Sequence, residues 1–455
     1  MRLRPTFETP LAARYPAPGG GWDTPSLDAA LSSAAPPDLA DHVARVAGGL
    51  RALGVTPGDA VAWQSPNRPE VCVLYRACWR LGAVAAPMHH QAGEADVARM
   101  RDAVRPAVVV SNLDALPEGD AVHERWTDGA ALAAVLFTAG SSGAPKGVLH
   151  TQATLAYKAV QMEHEHALGT SDCVLMPAPC AHISGLLNGI TLPGVVPFRA
   201  VFMSRWDPEA ALDLIEREQV TFMIGPPTFF VSMMQAPGFS PRRVASLRLI
   251  SSGGAGVSDA FVRAASEAFG ARVKRTYGST EAPTIVTDGH TIGPVELRID
   301  DETRELLVRG AEVCAGYLDP AQTATAFTED GWFRTGDLAT ITGGAVDIVG
   351  RVKDVMIRGG ENISTAEVEA VLEAHPHVRH AVAVGEPDAL MGERVVAFVQ
   401  ASAPFDLEAC RLWFAGQGVA RFKTPERVVV LDELPLMPTG KPDRNALRAR
   451  FVTPG

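Results

Sequence analysis

Leu136-Phe-Thr-Ala-Gly-Ser-Ser-Gly-Ala-Pro-Lys-Gly147 is the stretch that decides how this chain is read. It follows the apolar run Ala131–Phe137, which predicts a strand, and then crowds small and hydroxylated residues ahead of a lysine. Gly140 and Gly143 free the backbone to turn its N–H groups toward an anion. Thr138, Ser141 and Ser142 add hydroxyl donors, and Lys146 adds a positive charge. A bare Gly/Ser turn would be a surface turn; the Pro-Lys-Gly ending makes this one a phosphate cradle. It is not a Walker A loop, because Pro145 precedes Lys146 and Gly147 follows it.

Outward from this loop, short β-branched runs alternate with helical stretches. Thr221–Ile224, Leu247–Ser251 and Arg272–Thr276 predict further strands. Pro208–Arg217 and Asp259–Phe269 predict helices between them, and Asp41–Leu53 another before the loop, with Val43, Val46, Leu50 and Leu53 on one side. Residues 10–37, rich in Pro, Gly and Ala, read as an irregular lead-in. The alternation indicates α/β layers with largely parallel sheet. A second regime begins near Gly350. There Val355–Ile357, His380–Val384, Val395–Val399 and Arg427–Leu431 predict strands, and Ala366–Ala374 and Asp406–Gly416 predict helices. Roughly a hundred residues suffice for a small α+β domain. The expected organisation is a large N-terminal domain of layered α/β sheets over residues 1–350 and a small C-terminal α+β domain over 351–455. No Gly/Ser or Pro tract marks the boundary, so it reads as a hinge.

Bulk properties narrow the function classes. The chain has 455 residues, 47% apolar and 20% charged, which suits a soluble enzyme of two or three structural units. Its formal charge of −11 comes without a Lys/Arg cluster able to follow a phosphate backbone, which argues against nucleic acid as a partner. The first residues carry charge but no apolar core, so no signal peptide is expected. The most apolar stretch, around Leu186 to Phe198, is broken by Gly, Pro and Asn and is too short to span a membrane. Six cysteines without CxxC spacing fit a reducing cytoplasm.

Further motifs follow in order. Ser251-Ser-Gly-Gly-Ala255 and Arg275-Thr-Tyr-Gly-Ser-Thr-Glu-Ala282 each sit at the end of an expected strand. Asp330-Gly-Trp-Phe-Arg-Thr-Gly-Asp337, Gly350-Arg-Val-Lys-Asp354, Gly359-Gly-Glu-Asn-Ile-Ser364 and Leu436-Met-Pro-Thr-Gly-Lys-Pro-Asp-Arg444 complete the set. Each has a plainer reading when alone. Thr280-Glu281 could open a helix, Asp337 and Arg351 could be a structural ion pair, and Lys353 and Lys441 could be solvated lysines. Gly254-Ala-Gly256 falls short of a dinucleotide fingerprint, because Asp259 stands where its third glycine belongs. Cys180 and His182 could suggest a thiol nucleophile, but neighbours two apart on a strand face opposite ways.

The whole series resembles the adenylate-forming superfamily of acyl- and aryl-CoA synthetases, luciferases and peptide-synthetase adenylation domains. The likeness covers nearly the whole chain, including Gly54–Asn67 and Gly82–Pro87, and is greatest to bacterial acyl- and aryl-CoA ligases. It implies a carboxylic acid–CoA ligase that works through an acyl-AMP. ATP, Mg²⁺ and coenzyme A would be its cosubstrates and cofactor, the acid would be cyclic, aromatic or medium-chain, and a homodimer is allowed. By that resemblance Tyr277 packs on adenine, and Gly254, Ala255, Arg275 and Thr276 line the nucleotide. Thr280 contacts the AMP phosphate, and Glu281 holds Mg²⁺. Asp337 accepts from the ribose, and Arg351 reaches ribose or phosphate. His182, Ile183, Gly253, Gly254 and Gly278 border the acyl pocket. Lys441 is the catalytic lysine, Lys353 the hinge of a mobile small domain, and Gly359 and Gly360 meet coenzyme A.

Departures are visible. Ala139 replaces a serine of the phosphate loop, Ala181 replaces the aromatic usually paired with the histidine, and Thr365 follows Ser364 where a proline is common. The rival reading is a stand-alone adenylating enzyme that loads an acyl-carrier protein, and a non-enzymatic binding protein comes third.

Overall fold

In the computed structural model of the protein, residues 2–4, 26–32, 37–138, 145–254, 256–358, 361–388, 391–417, 419–437 and 442–451 are described. The chain divides into two compact units. One comprises residues 1–254, 262–297 and 308–334, and the other residues 255–261, 298–307 and 335–455.

Two sheets organise the first unit. Strands β1 (Ala60–Ser65), β2 (Val84–His89), β3 (Val108–Val110), β4 (Leu132–Thr138) and β5 (Lys146–Thr151) form one sheet in the order β3-β1-β2-β4-β5. Its pairs are parallel except β4–β5, which form an antiparallel ladder on either side of the glycine-rich loop. The second sheet holds β6 (Cys173–Met176), β7 (Arg199–Phe202), β8 (Phe222–Gly225), β9 (Leu249–Gly253), β10 (Arg272–Tyr277), β11 (Val286–Thr287) and β12 (His290–Thr291), in the order β12-β11-β10-β9-β8-β6-β7. From β7 to β10 every pair is parallel, so the carboxyl ends of β8, β9 and β10 open on one edge, where α/β sheets place their ligands.

Both sheets bury long apolar runs, as parallel strands covered by helices must. Val61, Trp63, Leu74, Tyr75 and Trp79 are buried on the first, and Val174, Met176, Phe222, Leu249 and the helix residue Met162 on the second. The Trp63 and Tyr75 rings meet edge to face, 4.9 Å apart, a favoured aromatic geometry.

In the second unit, Asp337–Thr342 pairs antiparallel with Ala345–Arg351. Strands β13 (Val355–Arg358), β14 (Glu361–Ser364), β15 (Val378–Asp388), β16 (Gly392–Ala401) and β17 (Arg427–Val430) form a further sheet in the order β14-β13-β16-β15, with β17 beside β16. Helices Thr365–Glu373 and Leu407–Gly416 contribute Val368, Leu372, Cys410 and Phe414 to a core shared with Ile363, Val395, Ala397 and Val399. Arg444 closes this unit from within, giving one guanidinium nitrogen to the Ala383 carbonyl at 2.8 Å and another to Glu369 Oε2 at 2.9 Å.

The expected α/β class with a smaller C-terminal α+β part is what forms. Ends differ by up to four residues: the helix expected over Asp41–Leu53 runs Pro37–Ala52, with proline where a helix tolerates it, and β15 extends well beyond His380–Val384. Two expectations are corrected. The lead-in is not wholly irregular, because Leu27–Ser32 is helical; Leu27 and Leu31, four apart, are both buried in the core, and that burial outweighs the local composition. Cys180 and His182 are not on a strand. They lie in the turn after β6, and His182 stands immediately before the helical turn Ile183–Leu186. No helix among the described residues is long and apolar enough to cross a membrane.

Candidate active site

The β4–β5 ladder flanks the glycine-rich stretch of the sequence. Thr138 pairs with Lys146 across it, and both side chains are half-buried. Gly140, Ser141, Ser142 and Gly143 lie outside the described residues. Beyond Lys146, β5 runs beside the Cys314–Leu318 segment: Ala315 N–H donates to the Leu149 carbonyl at 2.7 Å, Leu149 N–H to Gly316 at 2.9 Å, and Leu318 N–H to Gly147 at 2.8 Å. A Cβ at Gly147 would lie 2.4 Å from Leu318 Cδ1, so a side chain there would push the leucine aside.

That segment places Tyr317 between two expected site residues. Lys146 Nζ sits 5.4 Å from the centre of the Tyr317 ring, within cation–π range. The Tyr317 hydroxyl donates to Glu281 Oε1 at 2.7 Å. Burial, reinforced by the Glu281 charge, pushes the Tyr317 pKa far above its ordinary range, so the hydroxyl keeps its proton and remains a donor.

The Tyr277–Glu281 turn is pinned through its backbone. His150 on β5 donates from Nε2 to the Thr280 carbonyl at 2.8 Å, and Cys314 N–H donates to the Glu281 carbonyl at 2.7 Å. His150 is wholly buried, and desolvation lowers its pKa to about 4, so it is neutral near pH 7. Ser279 N–H donates to the Ala282 carbonyl at 3.0 Å, and Ile285 N–H to Tyr277 at 2.9 Å. Gly278 is demanded by this fold-back: a Cβ there would stand 2.2 Å from Thr284 N.

On the adjoining strands, Thr276 Oγ1 donates to the Ser252 carbonyl at 3.1 Å, and Arg275 N–H to Asp288 Oδ1 at 2.8 Å. Gly253 ends β9, where a Cβ would meet the Thr276 carbonyl at 2.3 Å, and Gly254 has φ +76°. Ala255 lies outside the described residues. Thus Thr138, Lys146, Gly253, Gly254, Arg275, Thr276, Tyr277, Gly278, Thr280 and Glu281 are all set at strand ends or in the turns that follow them, within one unit.

His182 is held by a clamp that the sequence did not disclose. Asn67 donates from Nδ2 to the carbonyls of Met176 at 3.1 Å and Ala178 at 2.8 Å, and accepts the Cys180 N–H at 2.7 Å. Tyr75 donates its hydroxyl to the Cys180 carbonyl at 2.7 Å. His182 and Ile183 then stand half-buried at the start of the helical turns. Burial pushes the Cys180 thiol up, which keeps it protonated and a poor nucleophile.

Asp337 and Arg351, in the other unit, are paired with each other: Arg351 Nε donates to Asp337 Oδ1 at 2.6 Å, the carboxylate buried and the arginine exposed. The carboxylate's backbone is set by Thr335, whose Oγ1 accepts the Asp337 N–H at 3.0 Å and donates to the Leu306 carbonyl at 2.8 Å. Lys353 lies in the tight turn Val352–Asp354 between two extended segments. Gly359, Gly360 and Lys441 are outside the described residues.

Within the first unit, the arrangement gathers Lys146, Thr280 and Glu281 through Tyr317 and His150 near the carboxyl edge of the parallel sheet. Family comparison settles what it belongs to. Residues 37–318 match the model of the AMP-binding enzyme family, and residues 367–441 match that of the AMP-binding enzyme C-terminal domain.

The chain belongs to the AMP-binding enzyme family.

Among its relatives, the medium-chain fatty-acid–CoA ligase of Escherichia coli K12 is 32% identical, with 90% of this chain and 84% of the relative covered. A feruloyl-CoA synthase of an Amycolatopsis species is 31% identical, with 91% and 93% covered. A solved structure, that of ATP-bound MatB from Rhodopseudomonas palustris, superposes with a TM-score of 0.85 at 28% identity, covering 94% of this chain and 98% of that one. The adenylate-forming resemblance drawn from the sequence stands, and with it the assignment to the acid–thiol ligases. Sequence reasoning missed Tyr317, His150 and Asn67. Each acts through a partner distant in sequence, and none carries a local motif.

Proposed function

We propose that the chain uses ATP to convert a carboxylic acid to its acyl-adenylate, releasing pyrophosphate, and then transfers the acyl group to the thiol of coenzyme A, releasing AMP. The observation that carries this reading is the Lys146–Tyr317–Glu281 series, with Thr280 fixed beside it by His150. It offers a cation for the departing pyrophosphate, a hydroxyl for the α-phosphate and an oriented carboxylate. Relatives that act as CoA ligases on fatty and aromatic acids, and an ATP-bound structural neighbour, support it.

A divalent magnesium fits the donor set. Among the described residues no three His, Cys, Asp or Glu side chains converge on a metal position, but magnesium is commonly held by one or two carboxylates together with substrate phosphates. Glu281, with one oxygen steadied by Tyr317, would supply that carboxylate; the metal would neutralise phosphate charge. In the same reading Tyr277 stacks on adenine, while Gly254, Ala255, Arg275 and Thr276 line the nucleotide. Thr138, Gly140, Ser141, Ser142 and Gly143 wrap the phosphates. Asp337 and Arg351 take the ribose. His182 and Ile183 border the acid together with Gly253, Gly254 and Gly278.

Lys441 stabilises charge that develops during adenylation, and Gly359 and Gly360 receive coenzyme A. Those two surfaces belong to residues 351–455. The reading therefore includes a rotation of that domain about Lys353 relative to residues 1–350 between the steps. The acid is a cyclic, aromatic or medium-chain one. Six free thiols accord with a reducing cytoplasm.

The test supplies an acid panel with ATP and magnesium, and either coenzyme A or a phosphopantetheinylated carrier protein, and follows AMP and thioester by mass spectrometry. Acyl-CoA with matching AMP is expected. Acyl-carrier protein alone would move the assignment to carrier loading, and no AMP from any acid would defeat it.

A further inference from the structure

The carboxyl end of β2 carries two consecutive histidines with no role in the reaction so far. The His89 ring stacks on His90, centres 4.6 Å apart at 25°, and meets the His182 ring edge to face at 5.3 Å and 82°. β2 lies beside β4, the strand that leads into the phosphate loop. Three imidazoles therefore form one cluster around the residue read as bordering the acid.

The proton on His89 can be assigned from its neighbours. His89 Nδ1 accepts the Gln91 N–H at 3.1 Å. A neutral imidazole has one acceptor and one donor nitrogen, so Nε2 carries the hydrogen. Burial, helped by His182 and His90, lowers the His89 pKa to about 4, which keeps the ring neutral near pH 7. Yet His89 Nε2 is buried with no hydrogen-bond partner among the described residues, and His90 Nδ1 shares that state. A buried donor left unmade costs about 1–3 kcal/mol, and in a native site such a group calls for an explanation. The acid itself supplies one.

We propose that His89 Nε2–H is a hydrogen-bond donor of the acyl site and selects acids carrying a hydroxyl, alkoxy or keto oxygen within a few bonds of the carboxyl carbon. With His182 at the carboxylate, a ring whose centre is 5.3 Å away reaches the adjoining part of the same molecule. A neutral donor suits an uncharged acceptor oxygen better than a second carboxylate, which would favour a cation. His90, stacked behind, fixes the plane of the His89 ring. The inference rests on the acid-activating reading and narrows its substrate class.

Acid-dependent pyrophosphate release tests it, with matched pairs: 2-methoxybenzoate against 2-methylbenzoate, and 2-hydroxyoctanoate against 2-methyloctanoate. The wild type should favour the oxygenated member in kcat/KM by about tenfold in at least one pair, the worth of one hydrogen bond. His89→Phe keeps a ring against His182 but deletes the donor. It should bring the ratio near unity, chiefly through KM for the acid, with KM for ATP unchanged and the melting temperature not lowered. His89→Gln returns an N–H and should recover part of the preference, which a merely structural histidine would not show. A wild type indifferent to the oxygen, turnover confined to unsubstituted acids, or a preference that survives in folded His89→Phe overturns this inference alone. Absence of pyrophosphate release from every acid overturns the acid-activating reading as well.

Discussion

Tyr317→Phe isolates the hydroxyl that steadies Glu281. Tyr317 is only 4% exposed, and phenylalanine keeps its ring, so packing is retained and the 2.7 Å bond to Glu281 Oε1 is the loss. A hydrogen bond to a charged group is worth about 1.5–3 kcal/mol. If the carboxylate must be held in one orientation to serve the metal–nucleotide complex, that corresponds to a fall of roughly tenfold to a hundredfold in adenylation, the range found when partners of metal ligands are removed. The backbone around it should not move. His150 still holds the Thr280 carbonyl at 2.8 Å, and Cys314 the Glu281 carbonyl at 2.7 Å. Stability should therefore drop by no more than the bond itself is worth, about 1.5–3 kcal/mol. Acid-dependent ATP–pyrophosphate exchange, measured across a magnesium titration with melting as control, reads the effect. The expected result is a lower rate and a higher magnesium concentration for half-saturation. Wild-type exchange with unchanged magnesium dependence would mean that the Tyr317 hydroxyl does not steady a metal-binding Glu281.

Lys441→Ala should slow adenylation by about 3 kcal/mol of barrier while sparing thioester formation from synthetic acyl-AMP, and equal losses in both half-reactions would contradict its role. Lys353→Pro fixes φ near −65°, so one of pyrophosphate release and thioester formation should suffer far more than the other; both at wild-type rate would remove Lys353 as the hinge. Stability should also fall in acid. His150 has its pKa lowered to about 4 and His166 to about 3, both by burial, from an ordinary 6.5. The unfolded chain takes up these protons first, so the stabilisation is complete above about pH 6.5 and is lost as pH drops toward 4. It is worth up to about 3 kcal/mol for His150, and denaturant melts that stay flat from pH 7 to pH 4 would contradict it.

The parts of this architecture legible in the sequence are those where local chemistry and fold agree. The glycine-rich loop could be read because the strand leading into it, Leu132–Thr138, is a nearly continuous apolar run and its turn residues are unmistakable. Gly278 and Gly253 stood out as motif glycines, although the structure adds a reason the motif did not give: in each case a Cβ would strike backbone. Helix Asp259–Phe269 was readable to the residue from its periodicity. What could not be read is the long-range wiring. Tyr317 lies 36 residues from Glu281, His150 lies 130 from Thr280, and Asn67 lies 113 from Cys180. None of these pairings leaves a periodic or local trace. Leu27–Ser32 was hidden for the same reason, since its helix depends on burial against partners distant in sequence. The His89–His90–His182 cluster likewise exists only once β2 and the turn after β6 are brought side by side.

In the proposed reaction the acid is activated by direct attack of its carboxylate on the α-phosphate of ATP. An accepted acid labelled with oxygen-18 in both carboxyl oxygens, turned over with ATP and coenzyme A, tests this most directly. The expected products are AMP carrying a single labelled oxygen and unlabelled pyrophosphate. Label in inorganic phosphate with ADP as the product, or unlabelled AMP beside the thioester, would contradict it.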